Sequence, residues 1–146
     1  SFGYVMKNLN QKNLVNSIKS GIKSGKPYLG ICLGLQVLFE ESKESPGIGG
    51  LSIFKGSCEK FSKGKVPQIG WNKAKFTNGK SNFFYFVHSF YVAPKQKEII
   101  FAETNYYVDY CSAIKYKNIT AVQFHPEKSG RAGIDFLRRW VNENDK

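Results

Sequence analysis

The sequence predicts an α/β domain, on three observations. A short apolar run from Pro27 to Ile31 turns at Gly30-Ile31-Cys32-Leu33-Gly34 into a segment, Leu33 to Glu41, that is apolar at Leu35, Val37, Leu38 and Phe39 before it becomes acidic. Strand, sharp turn and helix in immediate succession are an α/β signature. Near the other end a strand-like run, Ile119 to Phe124, precedes a segment with apolar residues at Ile134, Leu137, Trp140 and Val141, the spacing of an amphipathic helix.

Other elements fit around these. From Phe2 to Ile22 the apolar residues Met6, Leu9, Leu14, Ile18 and Ile22 recur at helical intervals, with a break expected near Asn13 and a stop at Gly25. Pro46-Gly47-Ile48-Gly49-Gly50 reads as a loop. Beyond it, β-like runs are separated by Lys, Gly and Asn: Leu51 to Phe54, Trp71 to Phe76, Asn82 to Ala93, Ile99 to Glu103 and Tyr110 to Ile114. No internal repeat or low-complexity linker divides the chain, so residues 1–146 are expected to form one domain.

Composition narrows the function classes. With 41% hydrophobic and 15% aromatic residues, 146 residues suffice for a core. No apolar run is long enough to span a bilayer, and the opening SFGYVMKNLN lacks the features of a signal peptide, so a soluble cytoplasmic protein is expected. Cys32, Cys58 and Cys111 show neither a disulfide framework nor metal-ligand spacing, and no metal or cofactor is expected. The net charge is +11, but only Arg131, Arg138 and Arg139 of the 22 basic residues are arginine, and the lysines are scattered from Lys7 to Lys146. Nucleic-acid recognition favours clustered cations and arginine, so this charge reads as a solvated surface or as attraction to an acidic partner.

Chemistry concentrates at two places. In a glycine-x-nucleophile-x-glycine turn the side chain is presented at the C-terminal edge of a sheet, and both flanking glycines are expected to relieve crowding. A helix N-terminus beside Cys32 would lower its thiol pKa, and the Leu33 N–H would face a developing oxyanion. A lone buried cysteine is more often a small hydrophobe than a nucleophile, and it is the second place that shifts the balance. The second place is Val122-Gln123-Phe124-His125-Pro126-Glu127, where a histidine and a carboxylate follow a strand. A thiol nucleophile needs a base, and the base needs an orienting acid; Cys32, His125 and Glu127 supply the three roles. His88, inside Phe83 to Tyr91 with no acid near it in sequence, reads as a wall or core residue, and Cys58 and Cys111 as structural.

GICLG followed by Gln36, with HPE near the C-terminus, resembles the class I glutamine amidotransferases, which hydrolyse glutamine through a Cys-His-Glu triad. Within that class KVPQIGWN (65–72), FYFVHSFY (84–91) and QFHPEKSG (123–130) are similar to the glutaminase subunits of imidazole glycerol phosphate synthases. The resemblance implies a flavodoxin-like, mostly parallel sheet with flanking helices, lacking its first strands. In relatives those strands carry a Pro-Gly-Val-Gly type loop that completes the oxyanion site. It implies Cys32 as nucleophile, His125 as acid and base, and Glu127 as orienter. Leu33, Gln36, Ser89 and Phe90 would lie about the substrate L-glutamine, Phe90 standing where relatives often carry tyrosine. Trp71, Asn72, Lys128 and Ser129 would meet a (β/α)8-barrel cyclase subunit that receives ammonia in histidine biosynthesis. The same motifs leave room for a paralogue feeding a sugar-modifying synthase, and for a non-catalytic scaffold.

Overall fold

The computed structural model describes residues 1–145. The helical start divides into α1 (Phe2–Gln11) and α2 (Val15–Lys23), and Asn13 takes a left-handed backbone, φ 55°, at the predicted break. β1 (Tyr28–Ile31) follows, then a single helical turn, α3 (Leu33–Gln36), in place of the longer helix expected to Glu41. Val37, Leu38 and Phe39 are buried from a loop instead, and their backbone groups bond Leu51, Ser52, Ile53 and Phe54. That packing explains why Leu51 to Phe54 reads as a strand yet forms none: Leu51 and Phe54 are buried and Ile53 partly so, but the partner of the run is a loop.

The remaining strands are β2 (Glu41–Ser42), β3 (Gly56–Lys60), β4 (Gln68–Phe76), β5 (Ser81–His88), β6 (Phe90–Pro94), β7 (Ile100–Asn105), β8 (Asp109–Tyr116) and β9 (Ile119–Val122). β3 is too polar in sequence to announce itself; its inward residue, Cys58, is fully buried. The strands form one sheet in the order β2-β3-β6-β8-β7-β4-β5, with β9 pairing β8 and β1 pairing β9. Only β1·β9 and β2·β3 are parallel, so the sheet is mixed, with fewer parallel pairs than expected. The reason lies in the connections: β4 to β5 and β8 to β9 are tight turns, too short for the crossover a parallel neighbour needs.

Around β8 and β9 both faces of the sheet are covered. Alternation along β8 and β9 sends Ile114 and Ala121 into one cluster with Phe2, Met6, Leu35 and Phe39. It sends Ala113 and Val122 into the other, with Phe84, Phe86 and Phe124. Phe84 and Phe124 stack at 3.9 Å between ring centroids. The closing helix α4 (Gly130–Asn144) packs on this second cluster through Ala132 and Phe136, and a Cβ on its buried Gly133 would overlap the Pro126 carbonyl. Ile134 and Val141, expected on the buried stripe, are instead half-exposed, because the small Ala132 and Gly133 allow the close approach and set the helix's rotation. No helix among the described residues is long and apolar enough to cross a membrane.

Candidate active site

The backbone forces Cys32 into an elbow. Its N–H donates to the Val122 carbonyl at 2.8 Å, one step beyond the parallel β1·β9 register, while its own carbonyl accepts from Leu35 and Gln36 at 3.0 and 3.3 Å. Strand geometry must become helical within one residue, and Cys32 takes φ 54°, ψ −104°, a strained conformation for a side chain with a Cβ. Gly30 is required: a Cβ there would overlap the Gly34 carbonyl and lie 2.9 Å from Ala121 Cβ. Gly34 is not crowded, contrary to expectation, since the nearest atom to an added Cβ is the Tyr28 hydroxyl at 3.7 Å. That hydroxyl donates to the Gly34 carbonyl at 2.7 Å and ties the elbow down.

The thiol is not activated by the helix that follows. Four residues of α3 supply little dipole, and burial raises the Cys32 pKa above the ordinary thiol value, against the lowering expected. The Gln123 carboxamide, which donates to the sulfur at 3.5 Å, and the neighbouring Leu33 N–H oppose that rise, whereas Glu127 and Glu44 add to it. Cys32 therefore rests as a thiol and needs a base.

His125 lies where a base is wanted. Ile31 and Val122 are register partners on neighbouring parallel strands, so the residues after each emerge at the same C-terminal edge. The His125 N–H donates to the Tyr85 carbonyl at 2.9 Å, and Pro126 opens a 3-10 turn, Pro126–Lys128, that brings Glu127 back onto the ring. Nδ1 and Glu127 Oε1 are 2.6 Å apart. With Nδ1 donating to the carboxylate, Nε2 keeps a lone pair, and this nitrogen is buried with no partner among the described residues.

The expected substrate residues are more internal than their motif suggests. Gln36 is buried, and its amide donates at 3.1 Å both to the Phe90 carbonyl and to Gln123 Oε1, so its N–H groups are committed within the protein. Phe90 contributes that carbonyl at the start of β6, and Ser89 is the half-buried junction between β5 and β6. Gln123 was missed in the sequence; the signal was a carboxamide in an otherwise apolar, fully buried run. His88 is a core residue as expected: Nδ1 lies 2.8 Å from the Phe90 carbonyl, and Nε2 is 3.1 Å from Gln68 Oε1 and 3.2 Å from the Tyr110 hydroxyl. Burial pulls its pKa down to about 4.

Among the residues expected at a partner surface, Trp71 and Lys128 are exposed and Asn72 is half-buried, donating to the Asn105 carbonyl at 2.8 Å. Ser129 departs from the expectation. It is 1% exposed, and its hydroxyl donates to the His125 carbonyl at 2.6 Å and accepts from the Tyr85 N–H at 2.9 Å. Its side chain is spent on holding the His125 turn to β5.

Residues 4–143 match the family model for class I glutamine amidotransferases. The imidazole glycerol phosphate synthase subunit HisH of Methanothermobacter thermautotrophicus is 45% identical over 97% of this chain and 74% of its own length. The Aquifex aeolicus subunit HisH is 41% identical over 100% and 75%, and that of Pyrococcus furiosus 47% identical over 84% and 68%. A solved glutamine amidotransferase superposes over the whole chain and 76% of its own, with a TM-score of 0.78 at 14% identity, a likeness of fold. The elbow cysteine, the His-Glu pair in the turn after the adjoining strand and these matches agree: the chain belongs to the class I glutamine amidotransferases.

Proposed function

We propose that the chain is the glutaminase subunit of an imidazole glycerol phosphate synthase, hydrolysing L-glutamine to glutamate and ammonia in the cytoplasm and passing the ammonia to a cyclase subunit. The observation that carries the chemistry is His125, with Nδ1 on Glu127 and Nε2 buried without a partner among the described residues, in the turn after the strand beside the Cys32 elbow. Similarity to the HisH subunits supports the pathway.

The reaction follows from these roles. Cys32 Sγ forms a bond to the side-chain carboxamide carbon of glutamine as its proton passes to His125 Nε2. The negative charge that develops on the carboxamide oxygen is stabilised by the Leu33 N–H, the first backbone donor after the elbow. Collapse of the adduct breaks the C–N bond, and the nitrogen leaves as ammonia with the proton from His125. Water, losing a proton to His125, then attacks the γ-glutamyl thioester, the C–S bond breaks, and glutamate and the thiol are regenerated. Glu127 holds the ring so that Nε2, not Nδ1, faces these transfers.

The outer face of β4 and β5 supports a partner. Ile69, Trp71 and Phe83 are each more than half exposed, and an apolar patch of this kind on a sheet marks an interface. Tyr85, paired with Trp71 across the strands, is bonded through its backbone to both His125 and Ser129, so this face abuts the catalytic turn. A cyclase seated there, with Lys128 at its rim, would receive ammonia close to where it forms.

Cys32→Ala is expected to abolish glutaminase activity, measured as glutamate release by the chain in complex with a cyclase subunit. Hydrolysis at the wild-type rate would overturn the assignment.

A further inference from the structure

Gln123 is fully buried at the end of β9, and its carboxamide can point only one way. The Phe90 carbonyl has lone pairs and no hydrogen, so the Gln36 group facing it at 3.1 Å must be the NH2. The same NH2 lies 3.1 Å from Gln123, which must present its oxygen there. With Oε1 so engaged, Gln123 turns its Nε2 to Cys32 Sγ, at 3.5 Å. A second contact fixes the root of this chain: His88 Nδ1 approaches the Phe90 carbonyl at 2.8 Å and must be its donor. Donor and acceptor directions thus run without ambiguity from the core to the nucleophile.

We infer that Gln123 is a catalytic residue of this site: its carboxamide, oriented by Gln36, donates to Cys32 Sγ, turns the S–H away from itself and stabilises the thiolate that attacks. This rests on Cys32 being the nucleophile. Because sulfur is an acceptor on the Gln123 side, the thiol proton must leave by another direction, and the base of this site is His125. A donor to sulfur also offsets part of the cost of forming a thiolate in a partly buried elbow, where Glu127 from the His125 turn and Glu44 from the loop after β2 both oppose negative charge. Gln36 is then a positioning residue that acts through Gln123.

The test is the pH dependence of Cys32 alkylation by iodoacetamide in the full chain, followed by mass spectrometry from about pH 7 to about pH 10. Gln123→Leu is expected to move the profile upward by about one pH unit and to slow alkylation at neutral pH about tenfold, with kcat falling and KM little changed. Gln123→Met keeps the length of the side chain but offers the sulfur no donor and adds no charge, and is expected to shift the profile by about as much as Gln123→Leu. Gln36→Met, which frees the carboxamide to rotate, should give a smaller shift of the same sign. A merely structural role predicts that Gln123→Leu and Gln123→Met lower the thermal midpoint but leave the alkylation profile of the folded chain in place. An unmoved profile in folded Gln123→Leu or Gln123→Met overturns the proposal. Failure of the nucleophile assignment reads out separately, as wild-type chain that a glutamine-analogue electrophile does not label at Cys32.

Discussion

The chain's two histidines close two strands of the same sheet and do opposite things. His125, after β9, has one nitrogen on a carboxylate and the other free; His88, ending β5, has both nitrogens engaged and sits 6% exposed. His125 is held by backbone, through its own N–H to Tyr85 and its carbonyl to Ser129, which leaves the ring for chemistry. His88 is held by its ring and has nothing left to offer a substrate. What separates the proposed catalytic histidine from the core one is whether the backbone or the ring does the anchoring.

The sharpest way to break that contrast is to remove each ring. His125→Gln is expected to lower kcat for glutamine hydrolysis by about 100- to 10,000-fold with little change in thermal midpoint. His88→Gln should do the reverse, lowering the midpoint while kcat changes far less. If the two variants lose activity alike, the division of labour fails.

A second separation is by pH. Burial holds the His88 pKa at about 4 against an ordinary 6.5, so the unfolded chain takes up a proton as the pH falls through 6.5 while the folded chain resists until about 4. The stability this contributes is complete above pH 6.5 and is lost progressively between 6.5 and 4, by about 3 kcal/mol in all. Denaturant melts across that window should show the loss in wild type, and His88→Gln should flatten it.

These contrasts mark how much of the molecule is legible in its sequence. The elbow and the His-Pro-Glu turn are local devices, each written in consecutive residues, and both form where expected. Gly30 is legible because a close approach leaves no room for a side chain, whereas Gly34, identical in the motif, has space and is held by a hydroxyl six residues away. The extent of α3 is not legible, because Val37 to Phe39 satisfy any apolar pattern and only their bonds to Leu51 and its neighbours decide that they leave the helix. Nor is the Gln36–Gln123 pair, which joins residues 87 apart in sequence. The thiol's raised pKa escapes for the same reason: burial and the charges of Glu127 and Glu44 are properties of the packed site, not of the motif.

Ser129 is the case in which motif and packing compete most directly, since a serine after His-Pro-Glu-Lys reads as a surface residue for a partner and the fold buries it. Its hydroxyl carries two bonds that join the His125 carbonyl to the Tyr85 N–H, so it anchors the His125 turn to the strand whose outer face bears the apolar patch. Ser129→Ala strands a partly buried N–H and is expected to cost the chain alone about 1–3 kcal/mol in denaturant unfolding. It should also lower kcat, because the ring of His125 then loses one of the two backbone ties that aim it. Affinity for a cyclase subunit should change little. A partner-contact serine would give the opposite pattern, unchanged stability of the isolated chain and weakened association. Measuring both quantities on one variant therefore decides whether backbone anchoring, the feature that sets His125 apart from His88, depends on this side chain.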